Sequence, residues 1–330
     1  LVGTAADRQH EYELQQRPQP RAEGSVMEKT QQKKYEFTGE TKVEFGITLH
    51  RIRAVIAIAA IGVVAGDLGG WVEKESNLSQ VSGDAWVYGD ARVFGDAQVS
   101  GDARVSGDAR VYGDARVSGN AQVYGNARVY GDAWVFVNAR VSGNAQVYGD
   151  ARVYGDARVS GNAQVYGNAQ VYGDARVYGD AWVYGDALVY GDAQVYGDAW
   201  VYGDARVSGD ARVYGDAQVY GNARVYGDAR VSGNAQVYGN ARVYGDAQVY
   251  GKIISATRTD GYTFTVFHDH EYVVHIAAGC RYFTIEEARQ HWRATRGGTK
   301  LGDESLALID HLERMAKLQD WQKPVAEVAE

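Results

Sequence analysis

From Val81 to Tyr250 small or apolar residues alternate with polar or aromatic ones in units of six. The unit is Val, then Tyr, Ser or Phe, then Gly, Asp or Asn, Ala, and Arg, Gln, Trp or Leu, repeated about 28 times without an insertion. The opening copies read Val81-Ser82-Gly83-Asp84-Ala85-Trp86 and Val87-Tyr88-Gly89-Asp90-Ala91-Arg92. Within Ala-x-Val-x the period is two, so Ala and Val share one face of a strand and the Arg/Gln and Tyr/Ser positions share the other. Gly-Asp or Gly-Asn then punctuates each strand with residues that tolerate the positive φ of a tight corner. Four residues of strand and two of corner leave no room for hairpins, and six is the wrong period for a helix. What remains is a single-stranded parallel β-helix. Each strand pairs with its equivalent one coil later, and Val and Ala fill a narrow interior.

A longer period sits on top of the hexad. Phe94, Tyr112, Tyr130, Tyr148, Tyr166, Tyr184, Tyr202, Tyr220 and Tyr238 are spaced by 18 and all are aromatic, whereas Ser interrupts the other two phases at Ser82, Ser100, Ser106, Ser118, Ser142, Ser160, Ser208 and Ser232. This predicts a three-sided prism with 18 residues per coil and one continuous aromatic side. Nine-odd coils at a strand spacing of about 4.8 Å give a rod on the order of 45 Å long.

The flanks follow other patterns. Residues 1–33 are polar and non-periodic, read as disordered, and place the natural start at Met27. Residues 34–80 read as an N-terminal β cap and a first irregular coil. Tyr35 to Phe45 alternates around a turn at Thr38-Gly39-Glu40, the apolar run Ala54 to Ala65 forms a buried strand pair, and Gly66 to Val72 makes an imperfect coil. A cap is expected, because an open solenoid end exposes an unpaired strand edge. The regular array spans 81–251. In 252–319 a β-hairpin (Tyr262 to Phe267, Glu271 to Ile276) turns at His268-Asp269-His270. Thr284 and Glu287 form a capping box for a helix to about Thr295, and Asp303 caps a second helix from Glu304 to about Leu318. Leu306, Ile309, Leu312, Met315 and Ala316 give that helix an apolar stripe. The fold class is all-β with a small C-terminal β-α-α module, and 320–330 is a flexible tail.

The hexad resembles the [LIV]-[GAED]-x-x-[STAV]-x repeat of the left-handed parallel β-helix superfamily, typified by the UDP-N-acetylglucosamine acyltransferases. Val81 matches the aliphatic position and Ala85 the small one, and the match recurs over about half the chain. The second position departs from it, carrying Tyr, Ser or Phe where the family has small or acidic residues. The left hand is what this resemblance implies. Triangular right-handed solenoids such as the bactofilins share the 18-residue coil. The Gly66–Ser79 segment, and Ala278-Gly279-Cys280-Arg281-Tyr282-Phe283-Thr284, resemble uncharacterised hexapeptide-repeat proteins of enteric bacteria and their prophages, which implies a phage or bacterial origin and no chemistry.

Composition narrows the function. The formal charge is -8, and there is no Lys from Val81 through Gly251 to build a basic patch, which disfavours nucleic acid. The apolar run Ala54 to Ala65 is too short for a membrane span. The single cysteine, Cys280, excludes an internal disulfide framework and fits a reducing cytoplasm, with Cys280 itself a buried cap residue. In the acyltransferases a His on the coils acts as base, often between subunits of a trimer. Here the array contains no His, Glu, Thr, Cys or Lys, so no catalytic residue is assigned, no cofactor is expected, and coenzyme A enters only with the acyltransferase alternative. His268, His270 and His275 are weak metal candidates that read better as a solvated turn. The candidate binding residues are the aromatic column from Phe94 to Tyr238, beside rows of Arg and Gln interspersed with Trp86, Trp134, Trp182 and Trp200. The leading expectation is a non-enzymatic, phage-associated scaffold, cytoplasmic or in a virion. It would be a monomer or homotrimer that engages a protein or glycan. An acyltransferase-like enzyme and a bactofilin-like polymer are the alternatives.

Overall fold

The structure, a computed structural model, describes residues 32–81, 83–278, 281–319 and 321. The expectations for residues 1–31, Ser82, Cys280 and the tail fall outside these residues.

Twenty-eight two-residue strands, β4 (Trp86–Val87) through β31 (Gln248–Val249), form the rod. Every third strand is hydrogen-bonded to the next, which sorts them into three parallel sheets. Side I runs from β5 (Arg92–Val93) to β29 (Gln236–Val237), side II from β6 (Gln98–Val99) to β30 (Arg242–Val243), and side III from β4 to β31. Register is 18 throughout, as in Arg128↔Gln146 and Val129↔Val147. With the irregular first coil the solenoid has about ten turns. Backbone bonds run along the axis, for example Arg128 N–H to the Ala145 carbonyl at 2.9 Å and Tyr130 N–H to that of Val147 at 3.0 Å.

From Ala85 to Val249 the Ala and Val of each hexad are buried and form one continuous core. Burying a Val side chain is worth roughly 1.5–3 kcal/mol, so a pattern of small contributions repeated along the rod replaces a globular core. Val81, which opens the pattern in sequence, is 64% exposed; the regular interior begins only at Ala85. Along the middle of the rod a corner glycine is favoured twice over, by its positive φ and by the backbone of the next coil. Gly185 has φ 71°, and a Cβ there would meet the Gly203 nitrogen of the next coil at 3.0 Å. Val137 occupies this corner position with φ 64°.

At the N-terminal end β1 (Tyr35–Glu44) pairs antiparallel with β2 (Ile47–Ala54), and β2 pairs antiparallel with β3 (Leu68–Val72). β3 in turn pairs in parallel with β5, with Trp71 opposite Arg92. The cap therefore finishes the open edge of side I. Two expectations are corrected here. Gly39 (φ 87°) sits in a bulge within β1, where the register shifts between Phe37 and Thr41, and the hairpin turns instead at Phe45 and Gly46, both with positive φ. The run Ala54 to Ala65 is not a buried strand pair. It is a loop around a 3-10 turn, Ala59–Ile61, closed by a left-handed Gly62 and a single bridge between Ile58 and Val63, and of the run only Ala54, Ile58 and Val63 are buried.

The other end is closed by a four-stranded antiparallel sheet in the order β32 (Ile254–Thr257), β33 (Thr263–His268), β34 (Val274–Ala278), β35 (Arg281–Thr284). The predicted hairpin is its centre, and the outer strands were not anticipated. Alternation along β33 divides the work. Phe267 joins the solenoid core, while Phe264 and Val266 pack with Ala288, Trp292, Ile309 and Leu312 of α1 (Ile285–Arg296) and α2 (Lys300–Leu318). Thr284 caps α1 as expected, accepting from Glu287 N–H. α2 starts earlier than predicted because Thr299, not Asp303, caps it by accepting from Gly302 N–H. Among the described residues no helix is long and apolar enough to cross a membrane.

Candidate binding faces of the solenoid

Strand alternation puts two residues of each hexad outside: the one before Val and the one after it. On side I the position after Val is the predicted aromatic column, and the 18-residue register brings its rings together. From Phe94 through Tyr238 successive rings are stacked with centroids 4.8–5.4 Å apart and planes within 16° of parallel. Offset stacking of this kind adds roughly 0.5–1.5 kcal/mol per pair beyond the area buried. Burial among neighbouring rings, and then the adjoining phenols, pushes the Tyr148 and Tyr184 hydroxyls up to about 12. Tyr112, Tyr130, Tyr166, Tyr202 and Tyr220 shift in the same direction, burial again the largest cause.

The stacking changes what the column offers. Ring faces meet one another along the axis, so a partner approaching from the side finds ring edges and hydroxyls rather than aromatic planes. Gln side chains accept from some of those hydroxyls, as in Tyr130 Oη to Gln146 Oε1 at 3.3 Å and Tyr148 Oη to Gln164 Oε1 at 3.2 Å. The neighbouring row reads Gln146, Gln164, Trp182, Trp200, Gln218, Gln236. Trp182 and Trp200 are themselves stacked at 5.2 Å. Over this stretch the ring row and the strand row of side I carry no formal charge.

The column is not uniformly accessible. Phe94 is 5% exposed, because the tip of the N-terminal hairpin folds over it. Phe45 lies 6.4 Å from its ring. Glu44 places Oε2 2.9 Å from Arg92 Nε and Oε1 3.3 Å from Arg110 Nε. Tyr238 at the far end is 41% exposed. The candidate face thus begins beyond Phe94.

The two other sides carry partial columns that periodicity alone did not highlight. On side II Phe136, Tyr154, Tyr172 and Tyr190 are stacked, as are Tyr226 and Tyr244. On side III Tyr178, Tyr196 and Tyr214 are stacked. Trp134 on side II is flanked by the guanidinium groups of Arg116 and Arg152, 5.0 and 5.5 Å from its ring. Trp86 is buried at the first coil against Tyr35. At the corners Asn side chains form ladders: Asn126 donates to Asn144, Asn144 to Asn162 and Asn162 to Asp180.

The histidines of the β33–β34 hairpin are not the uniformly solvated turn that the sequence suggested. His270 is exposed, but His268 and His275 are buried. His268 stacks on Tyr272 at 4.9 Å. His275 donates from Nε2 to Asp269 Oδ2 at 2.9 Å. Burial opposes ionisation of Asp269 most strongly. Hydrogen bonds from His275 and from the Val273 and Glu271 N–H groups outweigh it and hold the carboxyl below its usual range. Asp269 therefore organises the hairpin, and among the described residues no three His, Cys, Asp or Glu side chains come together as a metal site.

Twelve stretches match the family model described as the YdcK beta solenoid repeat: residues 85–101, 97–111, 109–122, 121–135, 145–161, 151–167, 169–185, 181–197, 193–209, 205–219, 217–233 and 235–251. The longest interior gap, 136–144, contains Val137, where the corner glycine is replaced. No curated protein sequence matches the chain.

Proposed function

We propose that this β-solenoid repeat protein is a non-enzymatic scaffold: a stiff rod that holds its two terminal modules a fixed distance apart and meets a protein or glycan partner along side I. The observation that carries the reading is the equivalence of the coils. Catalysis needs an exceptional residue in a tuned environment, and here each coil repeats the same corner carboxylates and amides around an interior of Ala and Val. The stacked aromatic column supports the same reading, since its ring planes are committed to stiffening the rod. The contact surface left over is flat, uncharged from Gln146 to Gln236, and studded with phenol and amide groups suited to hydrogen bonding. The resemblance of the flanking segments to prophage-encoded chains supports a phage or prophage setting.

Thermal unfolding with and without acetyl-coenzyme A tests the reading against an acyltransferase, because a ligand that binds only the folded state raises the melting temperature. No shift is expected at saturating concentrations. A shift of several degrees, with a stable trimer by light scattering, would overturn the scaffold. Open-ended polymers in the same light-scattering measurement would instead favour a filament and mean that the terminal modules do not act as caps.

A further inference from the structure

One cleft lies wholly within the C-terminal module. It encloses about 680 Å³, and its walls include Arg281 of β35, His291, Trp292 and Arg296 of α1, and Lys300 and Leu301 at the start of α2. Small molecules are held in pockets of roughly 300–1,000 Å³. Three of the lining residues are cationic and none is a carboxylate, in a chain whose formal charge is -8. A concave surface of one sign focuses its field on whatever enters it.

The cations are left to the cleft because the acids of the module are committed elsewhere. Asp260 takes Arg258 at 2.6 Å, Asp269 takes His275 at 2.9 Å, and Asp310 takes Arg289 at 2.9 Å, together with Glu313. Glu287 is held in the Thr284 cap. Glu304 reaches only Lys300, at 4.0 Å, while its other oxygen accepts from Thr259 Oγ1 at 2.6 Å. Among the described residues neither Arg281 nor Arg296 has a carboxylate within 4.0 Å. Arg281 Nη1 instead lies 3.5 Å from His291 Nδ1, and Arg296 lies 6.0 Å above the Trp292 ring. A guanidinium only donates, so His291 Nδ1 accepts and the imidazole is neutral, with its proton on Nε2. Burial, and then the Arg281 charge, hold His291 below the usual histidine range and favour the same form.

We propose that this cleft binds a small phosphate monoester, its phosphate held between Arg281, Arg296 and Lys300 and its organic body laid against Leu301 and Trp292. Three cations without a carboxylate among them match a dianion better than a single carboxylate. Guanidinium forks offer phosphate oxygens paired N–H donors, and the ammonium of Lys300 adds a point charge. His291, beside Arg281 and itself uncharged, registers the arrival of the anion. The cleft is separate from side I, so the proposal stands whether or not the rod is a scaffold.

The full chain is titrated calorimetrically with phenyl phosphate and with benzoate. Phenyl phosphate is expected to saturate a single site per chain, roughly tenfold more tightly than benzoate. Inorganic phosphate should displace it and phenol should not. Arg281→Gln and Arg296→Gln should each weaken binding about tenfold with the circular dichroism unchanged, since both residues are exposed. Arg314→Gln removes the same charge from an exposed position of α2 outside the cleft and should leave binding unaltered. In NMR spectra at constant pH the His291 imidazole signals should shift on saturation while those of exposed His270 stay in place. No saturable binding of phenyl phosphate, equal affinity for benzoate, displacement by phenol, or the same loss in Arg314→Gln as in Arg281→Gln would overturn the proposal.

Discussion

Tyr184 and Tyr202 lie face to face, their ring centroids 4.9 Å apart and their planes within 1° of parallel. Neither phenol can ionise without placing charge inside the stack. The hydroxyl of Tyr184 is pushed up to about 12 by burial and then by its neighbours Tyr166 and Tyr202, against about 10 in an unfolded chain. A proton held more tightly in the folded state contributes stability that is fully present below pH 10 and lost as pH rises through 12. The melting temperature should therefore fall between pH 10 and 12, together with the rise in phenolate absorbance. Ionisation of the whole column at the ordinary tyrosine value, with the rod still folded, would contradict this.

Val137 carries a β-branched side chain at φ 64°. Left-handed backbone costs an L-residue about 1–2 kcal/mol, and glycine gives back roughly 0.4–1 kcal/mol through the greater freedom of the unfolded chain. Val137→Gly should stabilise the rod by about 1 kcal/mol in chemical denaturation, within the spread of these two terms. The opposite change, Gly185→Val, should destabilise it by more, because its Cβ would also press on Gly203. Equal and small effects from the two variants would mean that the corners relax freely.

Thr284 accepts from Glu287 N–H, and Glu287 accepts from Thr284 N–H at 2.8 Å, so each satisfies an exposed end of α1. Thr284→Ala should cost the C-terminal module about 1 kcal/mol. Hydrogen exchange should show the loss as faster exchange across α1 and β35, with side I of the rod unaffected. Uniform loosening of the whole chain would show instead that module and rod unfold as one.

The rod was legible in the sequence because one strong pattern is repeated in it. The hexad specifies strand, corner and interior together, and the 18-residue recurrence from Phe94 to Tyr238 reveals the number of sides. The ends were harder to read, for local reasons. Gly39 looks like a turn residue and serves as a bulge, since the competing turn at Phe45-Gly46 suits the pairing of β1 with β2. The run Ala54 to Ala65 looks like continuous core, yet only Ala54, Ile58 and Val63 of it are buried. Thr299 outcompetes Asp303 as a cap. The candidate face was legible as a column of positions, but not as a column whose planes are already occupied. That fact depends on ring orientation, on which hydropathy is silent.

Because each coil takes three hexads, the chain indexes angle as well as length. Insertion of one hexad would turn everything beyond it by a third of a revolution, carrying the C-terminal module to a new bearing and splicing the column of one side onto the strands of another. Insertion of three would restore the bearing and leave the rod one rung taller. Tandem sequences this alike are prone to slip by whole repeats, so neighbouring lineages can differ both in the reach of the rod and in the compass direction in which its far end points.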